Sequence, residues 1–197
     1  MDELRRRLLK AGLALPAGLY LPGAWSAAAA PPTPACDDDA PTPSQTAGPF
    51  YTPDSPAKAN FRADDPAGGA VNLRVAVLDT RCRPVAGAVV DLWHADTGGR
   101  YDKEGFRLRG HQRAGADGAV RFETVRPGNY GGRTRHFHVR IFSSQGDRLL
   151  TTQLYFPDEP GNAKDWLFKR ELLLEVAHVD RALDARFGVV VEGRTGG

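Results

Sequence analysis

The chain has 197 residues, 41% of them hydrophobic, with 26 basic and 24 acidic side chains and a formal net charge of +2. That is enough apolar material for one domain of ordinary size, and the interspersed, nearly balanced charge excludes the extended basic face on which nucleic-acid binding depends. With Cys36 and Cys82 as the cysteines, a closed four-cysteine zinc site is excluded as well.

The stretch MDELRRRLLKAGLALPAGLYLPGAWSAAAAPP runs from an arginine cluster through an apolar segment to small residues, the layout of a secretory signal with cleavage among Ala27 to Ala30. Arg5-Arg6-Arg7-Leu8-Leu9-Lys10 resembles the twin-arginine export motif, so residues 1–30 are expected to be a signal peptide and the mature protein to be exported, to the periplasm. The apolar segment is short for a membrane span and is broken by Pro16, Gly18 and Pro22, so no stable span is expected after processing. Residues 31–60 follow as an extended arm, rich at first in Pro, Asp and Thr, and residues 61–197 as the folded domain. In an oxidising compartment Cys36 and Cys82 can form one disulfide tying arm to body; otherwise they are two free thiols.

Within the body, Val71 to Asp79 (VNLRVAVLD) alternates and is rich in β-branched residues, and a turn at Arg81 to Pro84 and Gly87 leads to a second strand, Ala88 to His94. These two are expected to be antiparallel neighbours. Residues 97–118 show no sustained periodicity and read as a long functional loop. Ala119 to Val125 alternates again, and after the Arg126-Pro127-Gly128 turn comes NYGGRTRHFHVRIF, residues 129–142. On a strand, Phe137, Val139 and Ile141 would share the core face, and His136, His138 and Arg140 the other. A turn at Ser143 to Asp147, a strand at Leu149 to Phe156, a segment at Asp165 to Val176 with helical character, and a closing strand at Phe187 to Glu192 complete the pattern. Many short strands between Gly and Pro turns argue for an all-β fold, a β-sandwich of mostly antiparallel strands with long loops and little helix.

His136 and His138 are matched imidazoles on one strand face and could hold a metal, but His-x-His alone is weak evidence. A third histidine or cysteine would suit copper or zinc, yet His94 and His111 lie in different segments. The metal-binding cupin pattern expects a glutamate soon after the second histidine, and Val139 to Phe142 supplies none. Tyrosine is the alternative: a phenolate is a hard oxygen donor suited to a hard trivalent cation such as Fe(III). Tyr130 lies just before the histidine strand, and Tyr101 follows the Gly98-Gly99-Arg100 turn.

The ordered motifs Asp91-Leu92-Trp93-His94-Ala95-Asp96 with Gly99-Arg100-Tyr101, Arg126-Pro127-Gly128-Asn129-Tyr130, Arg133-Thr134-Arg135-His136-Phe137-His138 and Gln153-Leu154-Tyr155-Phe156 resemble those of the intradiol ring-cleavage dioxygenases, the protocatechuate 3,4-dioxygenase type included. Pro43-Ser44-Gln45-Thr46-Ala47-Gly48-Pro49-Phe50-Tyr51 also resembles a segment that those enzymes carry near the active site, so the likeness spans residues 43 to about 157. The resemblance implies a mononuclear non-haem Fe(III) held by Tyr101, Tyr130, His136 and His138. It implies that Tyr130 is the phenolate released when substrate binds, and that Arg133 and Gln153 line the substrate pocket. The implied reaction cleaves a catechol-type small molecule between its hydroxylated carbons with O2, giving a cis,cis-muconate-type diacid. The gap from Tyr130 to His136 is shorter than in protocatechuate dioxygenases and lacks their tryptophan, which leaves the substrate's shape open.

Beside these residues, Trp93 reads as core, His94 as a structural hydrogen-bonding residue, His111 as a solvated loop residue and Tyr155 as packing. Arg135 is a second charge near the site. The rival class is a non-catalytic transthyretin-like or carbohydrate-binding sandwich, against which the two tyrosines and two histidines argue. Assembly into a homo-oligomer stays open.

Overall fold

The computed structural model describes residues 40–192. Their strands are β1 (Ala70–Asp79), β2 (Val89–Trp93), β3 (Arg109–Arg113), β4 (Ala119–Val125), β5 (His136–Phe142), β6 (Arg148–Tyr155), β7 (Glu175–Val179) and β8 (Ala182–Val191). They form two four-stranded sheets, ordered β4-β1-β8-β7 and β3-β2-β5-β6. All pairings are antiparallel except β1 with β8, which run parallel. The expected all-β sandwich is what the chain forms. Among the described residues the helical pieces are short 3-10 turns, and no helix is long and apolar enough to cross a membrane. The signal segment and Cys36 lie outside the described residues.

Alternation builds the core. Val71, Leu73, Val75 and Val77 of β1, with Val120 and Phe122 of β4 and Phe187, Val189 and Val191 of β8, meet Val90 and Leu92 of β2, Phe137, Val139 and Ile141 of β5 and Leu154 of β6. Outside the first sheet the side chains are polar and paired in water, as Asn72 is with Asp184 and Arg74 with Asp117. The second sheet differs: on its outer face Asp91, Trp93, His136, His138, Gln153 and Tyr155 are also buried. The arm covers them. Thr42 N donates to Val190 O (2.9 Å), Gln45 N to Thr151 O (2.8 Å), and Gln153 Nε2 to Thr46 O (3.0 Å), carrying the chain from the first sheet across the second.

Three local expectations are corrected. β1 and β2 are not neighbours. The turn after β1 does fold back, with Asp79 N donating to Arg83 O and Val85 N to Val77 O, but Gly87 at φ +75° redirects the chain into the other sheet. The loop 97–118 contains strand β3, whose RGHQR sequence shows no apolar alternation because its polar side chains are satisfied by the arm. Residues 165–176 are not helical: Asp165 turns its carboxylate onto Leu167 N (2.9 Å), competing with helix formation, and the chain then passes through a 3-10 turn, Arg170–Leu172, into β7.

Two glycines join the loops that carry the tyrosines. A Cβ on Gly128 would stand 2.4 Å from Thr97 O, and one on Gly99, at φ +80°, would stand 2.0 Å from Asn129 O. Neither contact leaves room for a side chain, since both obstacles are backbone. Gly128→Ala should therefore lower thermal stability by about 2 kcal/mol or more, read as a fall in Tm. The control Gly69→Ala, where a Cβ meets nothing within 4 Å, should leave Tm near the parent value.

Candidate active site

Strand β5 sets the centre by sending His136 and His138, each 4% exposed, to the outer face of its sheet. Tyr101, also buried, leaves a tight turn in which Gly99 N donates to Asp96 O (2.9 Å) and Arg100 N to Asp96 Oδ1 (2.9 Å). Tyr130 and Arg133 face each other across a two-residue turn. Arg133 N donates to Tyr130 O (2.7 Å) and Tyr130 N to Arg133 O (3.2 Å), while Gly131 and Gly132 take φ +52° and +82°. Two positive φ values in a hairpin mark a type I′ turn, for which a Gly-Gly pair is suited. Tyr130 is brought against the same group: its ring lies edge-on to Tyr101, centroids 5.4 Å apart, and the residue is 36% exposed at the rim.

Three potential donor atoms converge. Tyr101 Oη lies 3.3 Å from His136 Nε2, which lies 3.1 Å from His138 Nε2. His136 Nδ1 is 2.6 Å from Thr134 O; a carbonyl only accepts, so Nδ1 carries the proton and Nε2 presents a bare lone pair. Burial lowers the His136 pKa to about 4. Burial, then the neighbouring His136 and Arg133, hold His138 well below the usual imidazole range. Both rings are thus neutral at physiological pH, and His138 Nδ1 is buried with no hydrogen-bond partner among the described residues.

This donor set fits a metal ion. Two nitrogen ligands bound at about 2.1 Å to one ion, roughly 90–110° apart, stand about 3.0–3.4 Å from each other. A cation would take the His136 Nε2 lone pair, which otherwise can accept only from the Tyr101 hydroxyl or from His138 Nε2. Among the described residues no group of three or more His, Cys, Asp and Glu side chains forms a metal site, so a phenol must extend the pair of imidazoles. Burial raises the Tyr101 pKa well above its ordinary value, so on its own the phenol keeps its proton; a bound cation would reverse that balance and favour phenolate.

The surroundings are aromatic on one side and ionic on the other. Trp93, which is buried as expected but outside the main core, lies parallel to His138, centroids 4.9 Å apart, and Phe50 stacks on Tyr101 at 4.5 Å. The arm backbone passes over the histidine, a Cβ on Gly48 standing 3.5 Å from His138 Cε1. On the other side, Arg133 Nε donates to Asp165 Oδ1 and Oδ2 (2.8 and 2.9 Å), and its Nη2 donates to Gln153 Oε1 and to Tyr155 Oη. The Tyr155 hydroxyl lies 2.9 to 3.1 Å from Gln45 Oε1, Gln153 Oε1 and Leu167 O, and burial raises its pKa to about 12.

Tyr101, Tyr130, Arg133, His136, His138 and Gln153, named from the family resemblance, gather here. Sequence reasoning missed Asp165, assigned Tyr155 to packing, and did not anticipate Trp93 against His138. Nothing local marks Asp165, whose partner is 32 residues away in sequence. Arg135 belongs elsewhere, donating to Glu159 and to Pro127 O. His94 has its structural role, with Nε2 2.6 Å from Thr124 Oγ1. His111 lies on β3 rather than in a solvated loop, its Nδ1 2.7 Å from Ser55 O. Cys82 is disulfide-bonded.

Comparison with known proteins places these features in context. The family model described as Dioxygenase matches residues 46–193. Chlorocatechol 1,2-dioxygenase of Rhodococcus opacus is 31% identical over 172 residues, covering 71% of this chain and 66% of the relative. The protocatechuate 3,4-dioxygenase beta chain of Burkholderia cepacia is 29% identical over 158 residues, covering 66% of this chain and 67% of the relative. The chain thus spans about two thirds of the length of these relatives. Among solved structures, the dioxygenase domain of a dioxygenase and carbohydrate-binding protein fusion from Streptomyces sp. SirexAA-E is 42% identical, with TM-score 0.74 over 78% of this chain and 99% of that one.

The buried imidazoles make stability depend on pH. In the unfolded chain histidines take up protons near their ordinary value of 6.5, whereas His94 and His136 resist protonation down to about 4 when folded. Stability that is complete above pH 6.5 is therefore lost as pH falls towards and through 4, on the order of 3 kcal/mol for each of the two. Denaturant titration of the metal-free protein from pH 7.5 to 4 should show this decline, and His94→Gln should flatten it.

Proposed function

This chain belongs to the intradiol ring-cleavage dioxygenase family, and on that premise we propose that it is a non-haem Fe(III) enzyme. It would cleave a catechol between its two hydroxylated carbons with O2 to give a cis,cis-muconate-type diacid. The observation that carries the reading is that Tyr101 Oη and His138 Nε2 stand 3.3 and 3.1 Å from His136 Nε2 in a buried aromatic setting. Tyr101, Tyr130, His136 and His138 would hold the iron, which when bound would supply Lewis-acid chemistry that activates the catechol towards O2.

The chain's own residues divide the remaining work. Tyr130, at the exposed rim, is placed to take a proton from an incoming catechol hydroxyl as a general base. Arg133 presents a fixed positive charge beside the site, where it favours the catecholate over the neutral diol. Its orientation is set by three partners, Asp165, Gln153 and Tyr155, so it has little freedom to follow the substrate. Phe50 and Trp93 exclude water from the buried side of the two inner ligands. Export by the twin-arginine route, supported by the arginine-led N-terminus, would set this chemistry outside the cytoplasm, and the disulfide-bonded state of Cys82 is in keeping with an oxidising compartment.

Colour tests the reading directly. Iron-loaded protein should be reddish-brown from phenolate-to-Fe(III) charge transfer, with a visible band that shifts on adding catechol, and should consume one O2 per catechol. Protein that stays colourless after iron loading would overturn the proposal. Tyr101→Phe and His138→Ala should each reduce bound iron severalfold, measured by elemental analysis; full occupancy would show the ligands to be misassigned.

The ion pair behind Arg133 yields a separate expectation. Asp165→Asn keeps the volume and an acceptor oxygen but removes the charge facing the guanidinium. Steady-state oxygen uptake with catechol should fall about tenfold or more, while iron supplied in excess, against the now unpaired Arg133 charge, still binds and gives the visible band. Loss of the iron itself would assign Asp165 to structure rather than to Arg133.

A further inference from the structure

The turn Asp165 to Phe168, closed by Phe168 N donating to Asp165 O (3.0 Å), has two sides. Its inner side belongs to the site: the Asp165 carboxylate holds Arg133 and accepts from Thr134 N (3.0 Å), and Leu167 O accepts from Gln45 and Tyr155. Its outer corner is Trp166, which is 82% exposed. A large aromatic ring left in water at the corner of a hydrogen-bonded turn is informative, because single exposed aliphatic residues are ordinary but an exposed indole offers a face for stacking. Arg133 and Thr134, which follow the Gly131-Gly132 pair, both bond to Asp165, the residue before Trp166. Arg133, held by Asp165, closes the turn whose Gly131 and Gly132 would place a Cβ in open space, with nothing within 4 Å. The remaining rim residues are aromatic, with Phe50 edge-on to the half-exposed Tyr130 at 5.1 Å.

Resting on the reading of the site as a catechol-cleaving centre, we propose that Trp166 is the floor of an outer aromatic subsite. The substrate it fits is a catechol joined to a second planar aromatic ring. The catechol ring enters between Tyr130 and Arg133, the linkage crosses the side-chain-free Gly131-Gly132 turn, and the distal ring lies on the indole. The missing side chains are as much a part of this subsite as the tryptophan: a wall at 131 or 132 would confine the site to small catechols. Aromatic stacking of this kind contributes about a tenfold preference.

The test is anaerobic titration of the iron-loaded protein, so that no turnover occurs, with catechol, 4-phenylcatechol and 4-cyclohexylcatechol. Binding is followed by the visible band and by quenching of tryptophan emission. The wild type should bind 4-phenylcatechol about tenfold more tightly than catechol and more tightly than the saturated analogue, and the quenching should be lost in Trp166→Phe. Trp166→Ala should abolish the preference, and Trp166→Phe should retain most of it. Equal affinities in the wild type, an unchanged preference in Trp166→Ala, or equal binding of the phenyl and cyclohexyl compounds would overturn the aromatic subsite while leaving catechol binding intact. A wild type that binds none of the three would overturn the enzymatic reading and the subsite together.

Discussion

The chain's own arm, laid across the outer face of the β3-β2-β5-β6 sheet, is the constraint on which the site depends. A two-sheet sandwich needs its inner faces dry and leaves its outer faces to water, as the first sheet here does. Thr42 bonds to β8 of the first sheet, Gln45 N donates to β6 of the second and Thr46 O accepts from Gln153 of β6, which holds the arm in place, and Gly48 passes over His138. Water is thereby removed from the imidazoles. Their neutrality, the retained proton of Tyr101 and the unpartnered Nδ1 of His138 all follow from that removal. An open strand face bearing the same two histidines would be solvated and would have no call on a cation.

Burying donor atoms for a cation next to an arginine creates an electrostatic conflict, which Asp165 resolves. The guanidinium of Arg133 is 14% exposed and its partner carboxylate 0%, so the pair is weakly screened. Unpaired, that positive charge would oppose any cation held by Tyr101, His136 and His138. Paired, its field is reduced while the Nη2 donors stay directed at Gln153 and Tyr155. The pair is costly to desolvate and expensive to break, which is typical of ion pairs retained for placement rather than for net stability. Gln153 and Tyr155 carry the same network to Gln45, so the arm that dries the site also orients its arginine.

What the sequence made legible follows the reach of each interaction. The alternation of Phe137, Val139 and Ile141 against His136 and His138 is a property of a single strand and was readable, as was β4 from Ala119 to Val125. The candidate ligands come from a family resemblance, since the motifs recur in order, and the structure brings Tyr101 to the two histidines and Tyr130 against Tyr101. Strand β3 was not readable, because its Arg109 and His111 are satisfied by backbone carbonyls of Phe50 and Ser55, far off in sequence. Nor was the partnering of β1, for which the turn at Asp79 to Val85 points to a hairpin until Gly87 diverts the chain. Asp165 was hidden for a further reason: an acid beside Trp166 and Leu167 looks like a helix face, and only the distant Arg133 makes it a buried anion.

The short Gly131-Gly132 turn ties these threads into a mechanical consequence. Tyr130 and Arg133 exchange two backbone hydrogen bonds across it, so neither can shift its main chain without breaking the hairpin. A phenol at position 130 that must leave a metal can then do so only by rotating its side chain. The residue is 36% exposed, and the two residues that follow it have no side chains to meet it. Movement is thus confined to one rotamer change, of modest cost, while Arg133 stays where Asp165 holds it. The same two glycines leave the chain after Tyr130 without side chains, so on the proposed reading release of the phenol and admission of an extended substrate would share one structural cause.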